Sequence, residues 1–184
     1  MRCVRNCAVL LGVSLVLAGG IVGCSDALHR AALNGDEKQV QQLLKSGHRI
    51  DESDKHNDSP LHVAARQGNV NAINILCRNG AKTDVRDGSM DTPLHFAAGA
   101  GQTPAVVALL KNGADPNVEN EDHETPLHKA AANDNTPCVD ALLAGGANPF
   151  LRDDDGRTAL DVASRSGKSD TAVALQKAMS RGSK

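Results

Sequence analysis

Thr92-Pro93-Leu94-His95-Phe96-Ala97-Ala98 lies in the middle of this 184-residue chain, and it has counterparts. Thirty-three residues earlier the chain reads Ser59-Pro60-Leu61-His62-Val63-Ala64-Ala65, and thirty-three later it reads Thr125-Pro126-Leu127-His128-Lys129-Ala130-Ala131. On either side of these runs Leu recurs at 28, 61, 94, 127 and 160, and His at 29, 62, 95 and 128, with Asp161 in the fifth place. Ala recurs at 31, 64, 97, 130 and 163, and Gly at 47, 80, 113 and 146. Several residue types keeping one phase define a tandem array, in which each unit is a supersecondary element that needs its neighbours to bury its apolar face.

The unit reads as two helices and a turn. Ser or Thr before Pro is a helix start: the hydroxyl caps free amides, and Pro at the first helical position sacrifices no needed donor. Leu and the Ala pair follow at helical spacing, and the small Ala side chains let first helices press closely together. Gly35, Gly68, Gly101 and Gly167 suit the left-handed residue that ends such a helix, with Asp134 in that place in the fourth unit. A second helix brings pairs such as Leu43-Leu44 and Leu109-Leu110 to the core. A polar run of turn formers then leads to the next unit.

These motifs resemble the ankyrin repeat, whose Thr-Pro-Leu-His-x-Ala-Ala start and Leu-Leu-x-x-Gly-Ala-Asp ending are matched at 92–98 and 109–115. The resemblance implies an all-α solenoid of five stacked helix-turn-helix repeats with short β-hairpin fingers. It spans 26–179, with repeats at about 26–53, 54–86, 87–119, 120–152 and 153–179 and a polar tail at 180–184. The terminal units look like caps. The first begins abruptly at Asp26-Ala27-Leu28, and the last, Thr158-Ala159-Leu160-Asp161, has lost both Pro and His. The tips depart from the family pattern: Asn57, Met90 and His123 stand where Gly is usual, and only Gly156 keeps it. Met tolerates a positive φ poorly, so Gly88 is expected to absorb the turn beside Met90.

Residues 1–23 have the form of a secretory signal: Arg2 and Arg5, an apolar run from Ala8 to Ala18, then small residues. The run is shorter than the roughly 20 residues of a spanning helix. Ile21-Val22-Gly23-Cys24 resembles the lipobox of bacterial lipoproteins, which implies lipid on Cys24 and cleavage before it, with Ser25 or Asp26 capping the first helix. Several acyl chains together give stable anchoring where one does not. The expected location is the bacterial envelope, facing the periplasm and leaning to the outer membrane because Ser25 rather than Asp follows the Cys. A secreted soluble form and an inner-membrane anchor are the alternatives.

Composition narrows the function. The formal net charge is −2, which argues against nucleic acid. No phosphate loop, nucleophile elbow, His-Glu-x-x-His or Cys-x-x-Cys is present, so no enzyme, cofactor or small-molecule substrate is expected. The four phased histidines sit on successive helices about 8–10 Å apart, too far to share a metal with bonds near 2 Å. Cys77 and Cys138 fall two repeats apart, beyond disulfide reach. Fourteen of the 22 acidic residues lie in the four turn segments 50–58, 83–91, 116–124 and 149–157, against four basic ones, which predicts an acidic edge suited to a basic partner surface.

By resemblance, a partner protein meets the concave side. The expected binding residues are Lys55, His56 and Asp58; Arg66 and Gln67; Ser89 and Asp91; Glu121, Asp122 and Glu124; Ala132 and Asn133; Asp154, Asp155 and Arg157; and Arg165. A toxin-neutralising or enzyme-inhibiting protein and a structural envelope spacer are the other readings the sequence leaves open.

Overall fold

The computed structural model describes residues 26–167 and 169–182. The apolar run, the lipobox Cys24 and the cap position Ser25 lie outside the described residues. Among those described, ten helices form five pairs: α1 Asp26–Asn34 and α2 Glu37–Lys45, α3 Pro60–Gln67 and α4 Val70–Arg78, α5 Pro93–Gly99 and α6 Thr103–Lys111, α7 Pro126–Ala132 and α8 Thr136–Ala144, α9 Ala159–Arg165 and α10 Ser169–Gly182. The last helix runs three residues past Met179. None of the helices is long and apolar enough to cross a membrane.

The pairs stack into two rows, α1-α3-α5-α7-α9 and α2-α4-α6-α8-α10, and the first row packs more closely. Its interfaces are Ala31-Ala32, Ala64-Ala65, Ala97-Ala98 and Ala130-Ala131, all without solvent exposure. Close approach in one row and wider spacing in the other bend a solenoid toward the close row, so the first helices line the inner side. Leu28, Leu61, Leu94 and Leu127 fill the space behind the Ala pairs, with Val40, Ile73, Val106 and Val139 from the second row. In the leucine pairs only the inner repeats bury one member fully: Leu109 is buried and Leu110 half-buried, whereas Leu43 and Leu44 at the first repeat are both half-buried.

The phased His is the joint between repeats. In α3, α5 and α7 its Nδ1 accepts the backbone N–H of the cap residue, Ser59 at 3.0 Å, Thr92 at 3.1 Å and Thr125 at 3.1 Å. A backbone N–H can only donate, so Nδ1 is unprotonated and Nε2 carries the hydrogen. Nε2–H then donates to the carbonyl of Asp91, Glu124 or Arg157, 29 residues on in the next tip, at 3.0 to 3.1 Å. Among the described residues no further tip follows the fifth repeat. There Asp161 closes the same box, accepting from the Thr158 N–H at 2.9 Å and its hydroxyl at 2.8 Å. Those two bonds hold the Asp161 carboxyl below its usual range.

Two expectations about the tips are corrected. First, the fingers are turns rather than β-hairpins: no strand occurs among the described residues. Each tip closes with one crosswise bond, such as Asp54 N–H to Asp58 O at 2.9 Å, around one turn bond, Asn57 N–H to Asp54 O at 3.1 Å. Arms this short cannot extend a ladder. Second, Gly88 does not absorb the second turn. Met90 itself takes a φ of 62°, matching Asn57 at 63°, His123 at 55° and Gly156 at 73°. The Asp87 carboxylate fixes that turn by accepting the N–H groups of Ser89 and Asp91. Asp134 likewise adopts a φ of 60° in the Gly position of its repeat, and its carboxylate accepts the Thr171 hydroxyl at 2.8 Å.

Candidate protein-binding face

The tips are held at both ends. One residue in each accepts two N–H groups of its own turn: Asp54, Asp87, Asn120 and Asp153. For Asp54, burial opposes ionisation, but the two N–H bonds outweigh it and the carboxyl stays below its usual range. Asp153 behaves alike, burial being outweighed by the Arg157 side chain and N–H. Asp51 and Asp84 accept the backbone N–H of Lys82 and Asp115 in the next unit. Five of the fourteen clustered acids are therefore turn and stacking elements, as Asp chemistry in turns leads one to expect.

Most of the others are paired. Asp58, expected on the display surface, is buried at 4 % exposure and forms an ion pair with Arg66. Its carbonyl receives the His29 ring, so it is a joint rather than a display residue. Lys129 bonds Glu124 at 2.7 Å and lies 3.8 Å from Asp91. Partial burial opposes the Lys129 charge, but the Glu124 hydrogen bond and the Asp91 charge overcome it and raise its pKa. Arg157 bonds Asp153 and Asp155, each at 2.8 Å, and His123 pairs with Asp154 across the third and fourth tips. Among the described residues, Glu52, Glu119, Glu121 and Asp122 have no cation within ion-pair distance. Three of these four stand in the third tip, so the acidic edge contracts to one acidic fingertip.

Of the other expected residues, Lys55, His56, Gln67, Ser89, Glu121, Asp122, Ala132, Asn133, Asp154, Asp155 and Arg165 are exposed, as is Arg66, while Asp91, Glu124 and Arg157 are half-buried. They follow one side of the stack, on the tips and the free ends of the inner helices.

Three features of this side carry no motif in the sequence. Arg66 lies over the Phe96 ring, its guanidinium carbon 4.4 Å from the centroid, and His62 meets the same ring edge-on at 5.1 Å. Asn69 and Asn135 donate to the last carbonyls of the preceding first helix, at Ala32 and Ala98, both 2.8 Å. Asn-to-carbonyl reach across a repeat boundary has no signature in one repeat read alone. An open hollow of about 520 Å3 separates the second and third tips, lined by Arg86, Met90, Val118, Glu119, Glu121 and His123 among others.

Among the described residues the two cysteines, Cys77 and Cys138, are free. Burial pushes the Cys77 thiol up to about 11, with Asp51 adding to the rise, and burial also raises Cys138, whose sulfur is 3.3 Å from the Thr103 hydroxyl. Neither has the electropositive setting that makes a thiolate. Among the described residues no group of three or more His, Cys, Asp or Glu could hold a metal.

A two-row helical solenoid, rigid between repeats and varied in side chain along one edge, defines a display scaffold of the protein-binding kind. Residues 28–120 and 101–182 match the family model of ankyrin repeats in three copies. The chain belongs to the ankyrin-repeat family, whose members are in general non-enzymatic modules for protein–protein interaction. No curated protein matches it in sequence.

Proposed function

We propose that this chain is a lipid-anchored, periplasm-facing module of the bacterial envelope, leaning to the outer membrane, that binds a protein partner with a basic surface through its inner helix ends and third fingertip. The observation that carries the choice of partner is the third tip: Glu119, Glu121 and Asp122 serve no turn bond through their carboxylates and no ion pair, while the acids around them do. Charges left over from folding are the ones free to steer a partner.

The anchor rests on the lipobox-like Ile21-Val22-Gly23-Cys24. α1 begins at Asp26, two residues after Cys24, and two extended residues reach roughly 7 Å. The first repeat would then lie close to the headgroups, and a partner in or near the same membrane follows. Two experiments test the reading separately. Metabolic labelling with a fatty acid should mark the natural chain and not Cys24→Ser; label on both removes the anchor. Crosslinking in cells should recover a partner that is lost when Glu119, Glu121 and Asp122 are all replaced by Lys. Equal recovery by that variant removes the acidic tip from the mechanism.

A further inference from the structure

The first repeat ends unlike its counterparts. After the Gly that follows the second helix, repeats two, three and four read Ala81-Lys82-Thr83, Ala114-Asp115-Pro116 and Ala147-Asn148-Pro149, whereas the first reads His48-Arg49-Ile50. Ala81, Ala114 and Ala147 are buried, so a small side chain is what the stack takes there. His48 is half-buried, and its ring is pinned by Nδ1–H donating to Leu43 O at 3.1 Å. With Ile50 it walls an open hollow of about 540 Å3, whose other lining residues are Gln41, Leu44, Lys45 and Asn79. Leu44 and Ile50, both half-buried, are its apolar part.

The surroundings of the hollow are basic. Lys45 and Arg49 are exposed, and Arg78 and Lys82 hold the same two positions in the second repeat. Among the described residues none of the four takes part in an ion pair. The acids that follow them, Asp51 and Asp84, accept the N–H groups of Lys82 and Asp115, which leaves four cations against two acids. In the third repeat the same positions hold Lys111 and Asp115, and in the fourth Ala144 and Asn148, so the charge is confined to the first two repeats. The hollow also lies where the chain leaves for Cys24. α1 and α2 are nine residues each, and Gly35-Asp36 turns the second back along the first. The last turn of α2 therefore returns to the level of the first turn of α1, with the axes about 8–10 Å apart. Cys24 is two residues before Asp26, a reach of roughly 7 Å. Lipid on that sulfur would bring a bilayer surface to the hollow.

We propose that this hollow seats the headgroup of an anionic phospholipid, with the phosphate on Lys45 and Arg49 and the glyceryl ester region on Leu44 and Ile50. The proposal rests on the reading of Cys24 as a lipid anchor and adds the surface that the anchored stack turns to the membrane. Two observations choose a lipid over an acidic protein. One is the place, beside the exit of the chain toward Cys24. The other is the mixed lining, because a phospholipid carries its negative charge directly next to apolar ester chains. Cations close to a negative bilayer surface each add attraction, which fades within a Debye length. The second-row helices then face lipid, and the inner helices on the opposite side of the stack stay open to a partner.

Every described helix, and every contact between repeats, lies within 26–182, so residues 25–184 hold the whole stack and lack the Cys24 sulfur. Flotation of that chain with vesicles measures the headgroup contact alone. Vesicles of phosphatidylcholine mixed with phosphatidylglycerol should bind it at least about ten-fold more tightly than phosphatidylcholine alone. Replacing His48, Arg49 and Ile50 together by Ala, Asn and Thr gives the first repeat residues that its counterparts already carry, so the circular dichroism melt should hold while binding falls at least about five-fold. Lys45→Gln, at an exposed position, should lose about five-fold as well. Arg165→Gln removes the same charge at the far end of the stack and should lose nothing. Equal binding to the two kinds of vesicle, full binding by both hollow variants, or an equal loss for Arg165→Gln and Lys45→Gln overturns the proposal. Fatty-acid labelling judges the anchor separately. Label at Cys24 without a preference for phosphatidylglycerol keeps the anchor and removes the headgroup site. A preference lost in the hollow variants, in a chain that takes no label, keeps the site and removes the anchor.

Discussion

Replacing His95 by Ala tests the joint that sets one repeat on the next. The ring is 2 % exposed and makes three bonds: Nδ1 accepts from the Thr92 N–H at 3.1 Å and pairs with its hydroxyl at 2.9 Å, and Nε2–H donates to Glu124 O at 3.0 Å. Thr92 has no solvent exposure, so its N–H would be orphaned, at about 1–3 kcal/mol. Glu124 O keeps the Asn120 N–H at 3.0 Å and loses only its second bond, about 0.5–1.5 kcal/mol. The vacated volume lies beside fully buried Leu94 and adds a cavity cost. The expected loss is about 3–5 kcal/mol, or roughly 10 °C in melting temperature for a domain of this size. His95→Asn can still accept from Thr92 but cannot reach Glu124, so it should lose about half as much. Urea unfolding at neutral pH, followed by far-UV circular dichroism, measures both. A loss below about 1 kcal/mol for His95→Ala would mean that Ala and Leu packing alone joins the repeats.

The same joint predicts acid sensitivity: burial lowers the His62 and His95 pKa values, the bonds to Asp91 and Glu124 only partly offsetting it. The unfolded chain therefore takes up protons first, so the stability these rings contribute is complete above about pH 6.5 and is lost as pH falls from there through their depressed folded values; a melting temperature flat across that range would contradict it. Leu94→Ala, at a side chain with no exposure, should cost about 2–5 kcal/mol in the same urea assay. Met90→Asn should stabilise by about 0.5–1 kcal/mol, since Met90 is 43 % exposed and holds a left-handed φ of 62° that Asn57 already adopts one repeat earlier; a lower melting temperature would show that Met90 packs usefully in the hollow. Reductant should leave the melting temperature unchanged, because Cys77 and Cys138 are both free.

How much the sequence disclosed follows from what a period can carry. Leu94, Ala97 and His95 were legible because the same role is repeated at 33-residue intervals, and repetition is itself the signal. Which carbonyl the ring bonds was not legible, because that partner is a backbone atom and has no letter. The acids were harder, since one letter serves three purposes. Asp54, Asp87 and Asp153 fix turns, Asp58 pairs with Arg66, and Asp122 does neither. Counting them together produced an acidic edge; sorting them by position in the repeat leaves an acidic third tip. The phase that reveals the fold also offers an internal standard, because a helix position has up to four sister positions in the same chain and a tip position has three. A residue that departs from its sisters where the fold would accept theirs is under some other constraint. His48 among Ala81, Ala114 and Ala147 is such a residue, and so is Met90 among Asn57, His123 and Gly156. Only the contacts of the folded chain separate these from a departure with a packing reason, such as Asp134, whose carboxylate accepts the Thr171 hydroxyl. The period proposes the exceptions, and the contacts decide which of them belong to the fold.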